Sequence, residues 1–264
     1  MFDAPLNLKQ SRILISNDDG IDAPGLKKLE AIAKKLCKEV WVIAPEVEQS
    51  ATGHSLTLHS PLRIKNVSKN RYSVNGTPTD CVMMAMNNLM RDCRPDLVLA
   101  GINRGSNVGE DMTYSGTIAV AMEATLFGIP AIALSQDIDE DYVKTRINWS
   151  SAEAYTAKII KKVTSVAWSH DVLINVNFPH VPKTKVTGIE ITREGRRKIG
   201  DEIIESSDPR GEPYYWIGAQ QNSARYPAGT DLAAIQNGAV SVTPISLDLT
   251  HRATMRTLKE AFKK

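Results

Sequence analysis

Short apolar runs that alternate with helix-periodic stretches constrain this chain most. "RILIS" (12–16), "VWVIAP" (40–45), "DLVLAG" (96–101), "PAIALS" (130–135) and "DVLINVNFP" (171–179) are brief and largely branched or apolar, as strands of a buried sheet are. Between them, Gly25 to Cys37 places apolar residues at 26, 29, 32, 33 and 36, the stripe of an amphipathic helix. Thr79–Met90, with Thr79 or Asp80 as N-cap, reads as a second helix. Gly116–Gly128, closed by Gly128, and residues 151–167 read as two more. Apolar strands separated by helices predict an α/β fold with a mainly parallel sheet and helices on both faces.

The pattern changes after about Pro182. "TKVTGIEITRE" alternates in the β manner, and "DPRGEPYYWIGAQ" reads as a turn followed by an aromatic strand. "AVSVTPISLDLT" reads as two short strands around a proline. This region is expected to be antiparallel and to project as an arm, before the basic amphipathic tail "HRATMRTLKEAFKK". Without a linker composition or an internal repeat, 1–264 reads as one domain. Its core spans about 12–182, and the arm and tail occupy about 183–264. A chain of 264 residues with 42% apolar content can bury a sizeable core.

Charge and cysteine usage narrow the function classes. Lys plus Arg number 32 against 30 for Asp plus Glu, so no basic excess argues for nucleic acid or an anionic membrane as partner. Cys37, Cys81 and Cys93 are odd in number and lack a CxxC pair, which fits reduced residues of a cytoplasmic protein. No apolar run reaches about 18 residues, so neither a signal peptide nor a membrane span is expected.

Ligands of open parallel sheets bind beyond the carboxyl ends of the strands. "SNDDG" stands at such an end and sets Asp18 beside Asp19. Two carboxylates there repel unless a cation offsets them, and their oxygens suit Mg²⁺ or Mn²⁺. The same residues also make an Asx-turn or a helix cap, so the pair alone decides nothing. Other strand ends carry polar clusters too. Ser50, Thr52, His54 and Ser55 follow the second strand, and Asn103 and Asn107 follow the third. Gly101, Gly105 and Gly109 are expected to let backbone approach a ligand. "YSGT" opens a helix at Ser115, Gly116 and Thr117, whose free amides make an anion seat, although Ser115 serves equally as an ordinary cap. Together these features point to a divalent metal holding a phosphate. There is no P-loop, GxGxxG, GxSxG or HExxH motif, and of the five histidines only His54 lies in a candidate loop. The methionines at 83, 84, 86 and 90 read as helix core.

The stretches "ILISNDDGIDAPGL", "VIAPEVEQSATGHSLTL", "NGTPTDCV", "PDLVLAGINRGSNVGEDMTYSGTIAVAMEATLFGIPAIALS" and "DPRG…YYWIG" resemble the SurE family of stationary-phase survival proteins, which are metal-dependent 5′/3′-nucleotidases. The resemblance runs from about Arg12 to about Thr250. It implies a Rossmann-like core with a β-hairpin arm, at about Asp201–Gln221 here, and a C-terminal tail used in homodimer or homotetramer assembly. It also implies hydrolysis of nucleoside 5′-monophosphates, and of 3′-monophosphates as a second class, with one Mg²⁺ or Mn²⁺ per subunit. The implied metal ligands are Asp18, Asp19, Ser50 and Asn103. Asn17, Asn107, Ser115, Gly116 and Thr117 match positions of the phosphate site. Either aspartate is also a candidate general base or nucleophile. Arg104 stands where a small residue is common in the family, and it bears on substrate range. Residues 1–11 lie outside the resemblance and are expected to be disordered or packed on the surface. Hydrolysis of short polyphosphate, or a nucleotide- or metal-binding sensor without turnover, are the alternatives.

Overall fold

The computed structural model describes residues 1–264 apart from 3, 139–146, 198–202, 219–224 and 264. Its strands are β1 (Arg12–Ser16), β2 (Glu39–Pro45), β3 (Ile64–Ser68), β4 (Arg71–Val74), β5 (Leu97–Arg104), β6 (Ala131–Gln136), β7 (Val172–Phe178), β8 (Ile189–Ile191), β9 (Ile203–Ser207), β10 (Pro213–Ile217) and β11 (Val240–Ser246). Its helices are α1 (Pro24–Ala33), α2 (Pro78–Met84), α3 (Gly116–Leu126), α4 (Ser150–Val163), α5 (Asp231–Gln236) and α6 (Arg252–Ala261). Nine strands form one sheet in the order β3-β4-β2-β1-β5-β6-β7-β11-β8. The run from β4 through β7 is parallel, β3 and β11 join it antiparallel, and β8 lies parallel to β11.

The two-residue period of β1 splits the core. Ile13 and Ile15 pack with Leu26, Leu29 and Ala33 of α1 and Ile159 and Ile160 of α4 on one face of the sheet. Leu14 faces the other way, among Cys81 and Val82 of α2, Ile118 and Val120 of α3, and Met86 and Met90. Full burial of each of these large side chains stabilises the fold by about 1.5–3 kcal/mol. Helices therefore cover both faces, and the strand order reverses beside β1, whose neighbours β2 and β5 continue the sheet in opposite directions. That reversal opens a crevice at the carboxyl ends of β1 and β5.

Several elements differ from the sequence reading. α2 is capped by Thr77 rather than by Thr79 or Asp80. The Thr77 hydroxyl accepts from the Asp80 amide and the Asp80 carboxylate accepts from the Thr77 amide, a reciprocal capping box. Past Met84 the helix widens into a π-turn over Ala85–Leu89. The hairpin of β3 and β4 occupies part of what reads as a polar loop. β11 is one strand through Pro244, not two strands around it. Beyond Val242 the β8 side of β11 has no ladder partner, and on such an edge a proline leaves no ladder bond unmade.

The C-terminal third is not wholly antiparallel, since β8 and β11 pair in parallel and both join the main sheet. The arm is the antiparallel hairpin of β9 and β10, exposed along its whole length; residues 201, 202 and 219–221 of its expected span lie outside the described residues. The described residues among 1–11 pack on the surface. Phe2 is buried edge-on against Trp168, and the Phe2 and Leu6 amides donate to the Trp168 and Thr164 carbonyls.

Candidate active site

Beyond β1 the chain turns sharply through Asn17, whose side-chain amide donates to the Gly20 carbonyl at 3.0 Å. Asn17 and Asp18 are buried, and Asp19 is half-buried at the mouth of the crevice. The start of α3 packs directly on Asp18. A Cβ on Gly116 would lie 2.6 Å from the Asp18 Cβ, so glycine is what permits this approach. The Thr117 hydroxyl donates to Asp18 Oδ1. Burial raises the Asp18 carboxyl above its ordinary range, while the Thr117 hydroxyl and the amides of Thr117 and Gly116 draw it back. The free amides that the sequence assigns to a phosphate thus lie first against this aspartate. The Ser115 hydroxyl accepts from the Ile118 amide at 3.1 Å as the N-cap.

The other strand ends converge on the same place. After β2, the Gln49 amide donates to the Asp18 carbonyl at 2.8 Å, which brings Ser50 beside the pair. Ser50 is exposed and donates to Glu48 Oε1 at 2.9 Å; the Arg104 guanidinium holds that same oxygen at 3.1 Å. At the end of β5, the Arg104 amide donates to Asp19 Oδ2 at 3.2 Å. The Asn103 side-chain nitrogen donates to the Gly105 carbonyl at 3.0 Å, which commits the nitrogen and leaves the side-chain oxygen as the atom able to accept.

Asn107 sits on the inner wall. Its amide donates to Asn177 Oδ1 at 2.7 Å, and its carbonyl accepts from Asn175 and Asn177 at 2.8 and 3.0 Å. Its side-chain nitrogen donates to the Ser135 hydroxyl at 2.9 Å. Asn175, Asn177, Ser135 and Glu48 make these contacts, and the sequence reading missed them. The one available signal was the spacing of two asparagines two apart on a central strand, which puts both on one face.

Other expectations are corrected. His54 is engaged by Glu123 of α3 at 2.9 Å, and the Thr52 hydroxyl donates to the Gln49 carbonyl. At Gly101 no ligand takes the space of the missing side chain. A Cβ there would stand 2.2 Å from the Leu134 carbonyl oxygen of β6, at the bulge between β5 and β6. The Arg104 guanidinium, partly exposed, bridges to Glu48 at 3.1 Å.

Burial, then the neighbouring Asp18 charge, pushes the Asp19 carboxyl up to about 7 from an ordinary 3.8. A raised carboxyl pKa means that the folded chain keeps a proton which the unfolded chain releases. The stability this gives is full below 3.8 and is lost as pH rises toward 7. In EDTA, Asp19→Asn should therefore gain stability relative to the parent as pH rises from about 4 to about 7, followed by urea denaturation at each pH. A difference that stays flat across that window would contradict the assignment.

Among the described residues no group of three or more His, Cys, Asp and Glu side chains could hold a metal, so a cation here would rest on two carboxylates and neutral oxygens. Asn17 Oδ1 and Ser16 Oγ, next to the pair, are buried without a hydrogen-bond partner, and hard oxygen donors of this kind fit Mg²⁺ or Mn²⁺.

An acidic, oxygen-lined crevice at the switch point of a parallel sheet defines an α/β protein with a ligand site at its strand ends. The family model described as Survival protein SurE matches residues 13–201, and the chain belongs to this family. It is 58% identical to the 5′-nucleotidase SurE of Paramagnetospirillum magneticum over 95% of each chain. It is 51% identical to that of Rhodospirillum rubrum over 99% of this chain and 100% of the relative. The crystal structure of the SurE protein from Aquifex aeolicus superposes with a TM-score of 0.83 at 39% identity, covering 96% of this chain and all of that one.

Proposed function

We propose that this chain is a divalent-metal-dependent phosphomonoesterase that hydrolyses nucleoside 5′-monophosphates, with 3′-monophosphates as a second class, to nucleoside and phosphate. The observation that carries the reading is the Asp18–Asp19 pair, with Asp18 buried against the N-terminus of α3, in a chain whose relatives are named 5′-nucleotidases. One Mg²⁺ or Mn²⁺ per subunit would be held by Asp18, Asp19, Ser50 and Asn103. Such an ion supplies a Lewis acid toward the phosphoryl oxygens and an acidified water.

The chain's own groups do the rest. The α3 amides and the Thr117 hydroxyl orient Asp18, and Glu48 fixes the Ser50 hydroxyl so that its lone pairs are free to ligate. Asn17, Asn107, Ser115, Gly116 and Thr117 line the space for the phosphate. The neutral amides stabilise charge there without adding to the repulsion between the aspartates.

Phosphate release from a panel of nucleoside 5′- and 3′-monophosphates, polyphosphate and an aryl phosphate tests the reading. Turnover should vanish in EDTA, return with Mg²⁺ or Mn²⁺, and be fastest on 5′-monophosphates. Binding of nucleotide with no turnover under any metal would instead indicate a sensor.

A second copy of the chain is the expected partner. Ile203, Ile204, Tyr214, Tyr215, Trp216 and Ile217 of the arm are exposed, and α6 has no buried residue. A lone two-stranded hairpin gains too little from its own contacts to be stable in water, which favours partner contacts in a dimer or tetramer. Light scattering should give a mass above that of one chain. The unpaired cysteines support a reducing, cytoplasmic setting, and among the described residues no helix is long and apolar enough to cross a membrane.

A further inference from the structure

Asp231 has no place in the site described above, yet its environment is unusual. It is fully buried at the first position of α5, and its carboxylate accepts from three backbone amides. Oδ2 takes the Gly109 amide at 2.9 Å. Oδ1 takes the Gly195 amide at 2.7 Å and the Leu232 amide at 2.8 Å. A buried carboxylate is tolerated only where donors replace water, and here the donors come from three segments far apart in the chain.

Those segments matter for the crevice. Gly109 belongs to the loop between β5 and α3, which carries Asn107 directly after Asn103 and Arg104 and delivers the chain to Ser115. Gly195 lies where the chain leaves for the arm, and Asp231 lies where it has returned. Two further contacts close the same seam: the Arg197 amide donates to Glu110 Oε2 at 2.5 Å, and the Arg197 guanidinium pairs with Asp111. The inner side of the loop is held by Asn175, Asn177 and Ser135, and Asp231 fastens its outer side.

We propose that Asp231 is a positioning residue of the site: it clasps the β5–α3 loop to both roots of the arm and so sets Asn103 and Asn107 for the cation and phosphate. The proposal rests on the metal-dependent phosphatase reading. It assigns a role to a residue that never touches the substrate.

Two variants load the clasp from different sides. Asp231→Asn keeps the volume and loses the charge and one acceptor. Gly195→Ala sets a Cβ 2.9 Å from Asp231 Oδ1 and 2.8 Å from Leu232 Cδ1, so it displaces the same carboxylate if Asp231→Asn fails to fold. Amide exchange of the 105–115 peptide is measured in metal-free full-length protein, and Mn²⁺ affinity by calorimetry. Both variants should speed exchange in that peptide at least about tenfold while β1 and β6 stay protected, and weaken Mn²⁺ binding about tenfold.

A merely structural Asp231 would lower the melting temperature without moving the Mn²⁺ affinity of the folded protein, and that result overturns the proposal. Unchanged exchange at 105–115 overturns it as well. Absence of turnover in the parent protein would remove the nucleotidase reading alone, because neither measurement depends on turnover.

Discussion

Asp18→Ala should abolish metal-restored phosphate release, by about 10³-fold or more, and abolish Mg²⁺ or Mn²⁺ binding with it. The companion variant Asp18→Asn should do nearly the same while leaving an oxygen for the Thr117 hydroxyl. What separates a lost site from a lost fold is stability in EDTA. Burial raises the Asp18 carboxyl, so the folded site disfavours its charged form. Removing that charge should leave the metal-free protein at least as stable as the parent, although it is inactive, the trade expected of a strained functional site. Circular dichroism melts check this directly. A fall of several degrees for Asp18→Asn would mean that the carboxylate supports the fold instead, and near-parental turnover with added metal would remove Asp18 from the site altogether.

Much of this architecture is legible in the chain because a parallel sheet buries its strands on both faces. The apolar runs at β1, β2, β5, β6 and β7 are nearly uninterrupted, and the helices between them carry clear stripes. Elements that escape reading are those without such a signature. β3, "IKNVS", is an edge strand with exposed Lys65 and Asn66 and no apolar face, and α5 spans only six residues. The Asp18–Asp19 pair shows itself because adjacent carboxylates at a strand end need a reason. Its supports do not. Glu48, Asn177 and Asp231 are ordinary polar residues in the sequence, and only folding brings Asp231 to an amide 122 positions away. The α3 terminus is the instructive middle case. "SGT" predicts amides open to an anion, and in the structure the chain's own Asp18 is packed against them.

Gly101→Ala should destabilise the fold by about 3–5 kcal/mol, the other large effect expected here. Two costs combine. At φ +120° the backbone lies where a side chain is strained, and the added Cβ would press to 2.2 Å on the Leu134 carbonyl, which cannot move without breaking the β5–β6 pairing. At about 2–4 °C per kcal/mol for a chain of this size, the melting temperature should drop by about 10 °C. The Asn103 amide lies 3.0 Å from the same Cβ, so residual folded protein should also lose activity. A variant that melts within a degree or two of the parent would show that the bulge can relax.

The inner seat of the β5–α3 loop is made of Asn107, Ser135, Asn175 and Asn177, none of which ionises between pH 4 and 9. That seat therefore keeps one geometry across the range in which Asp19 at the mouth changes its charge. A pH–rate profile of this enzyme should accordingly be read as a titration of its mouth, with the seat beneath acting as a fixed mount.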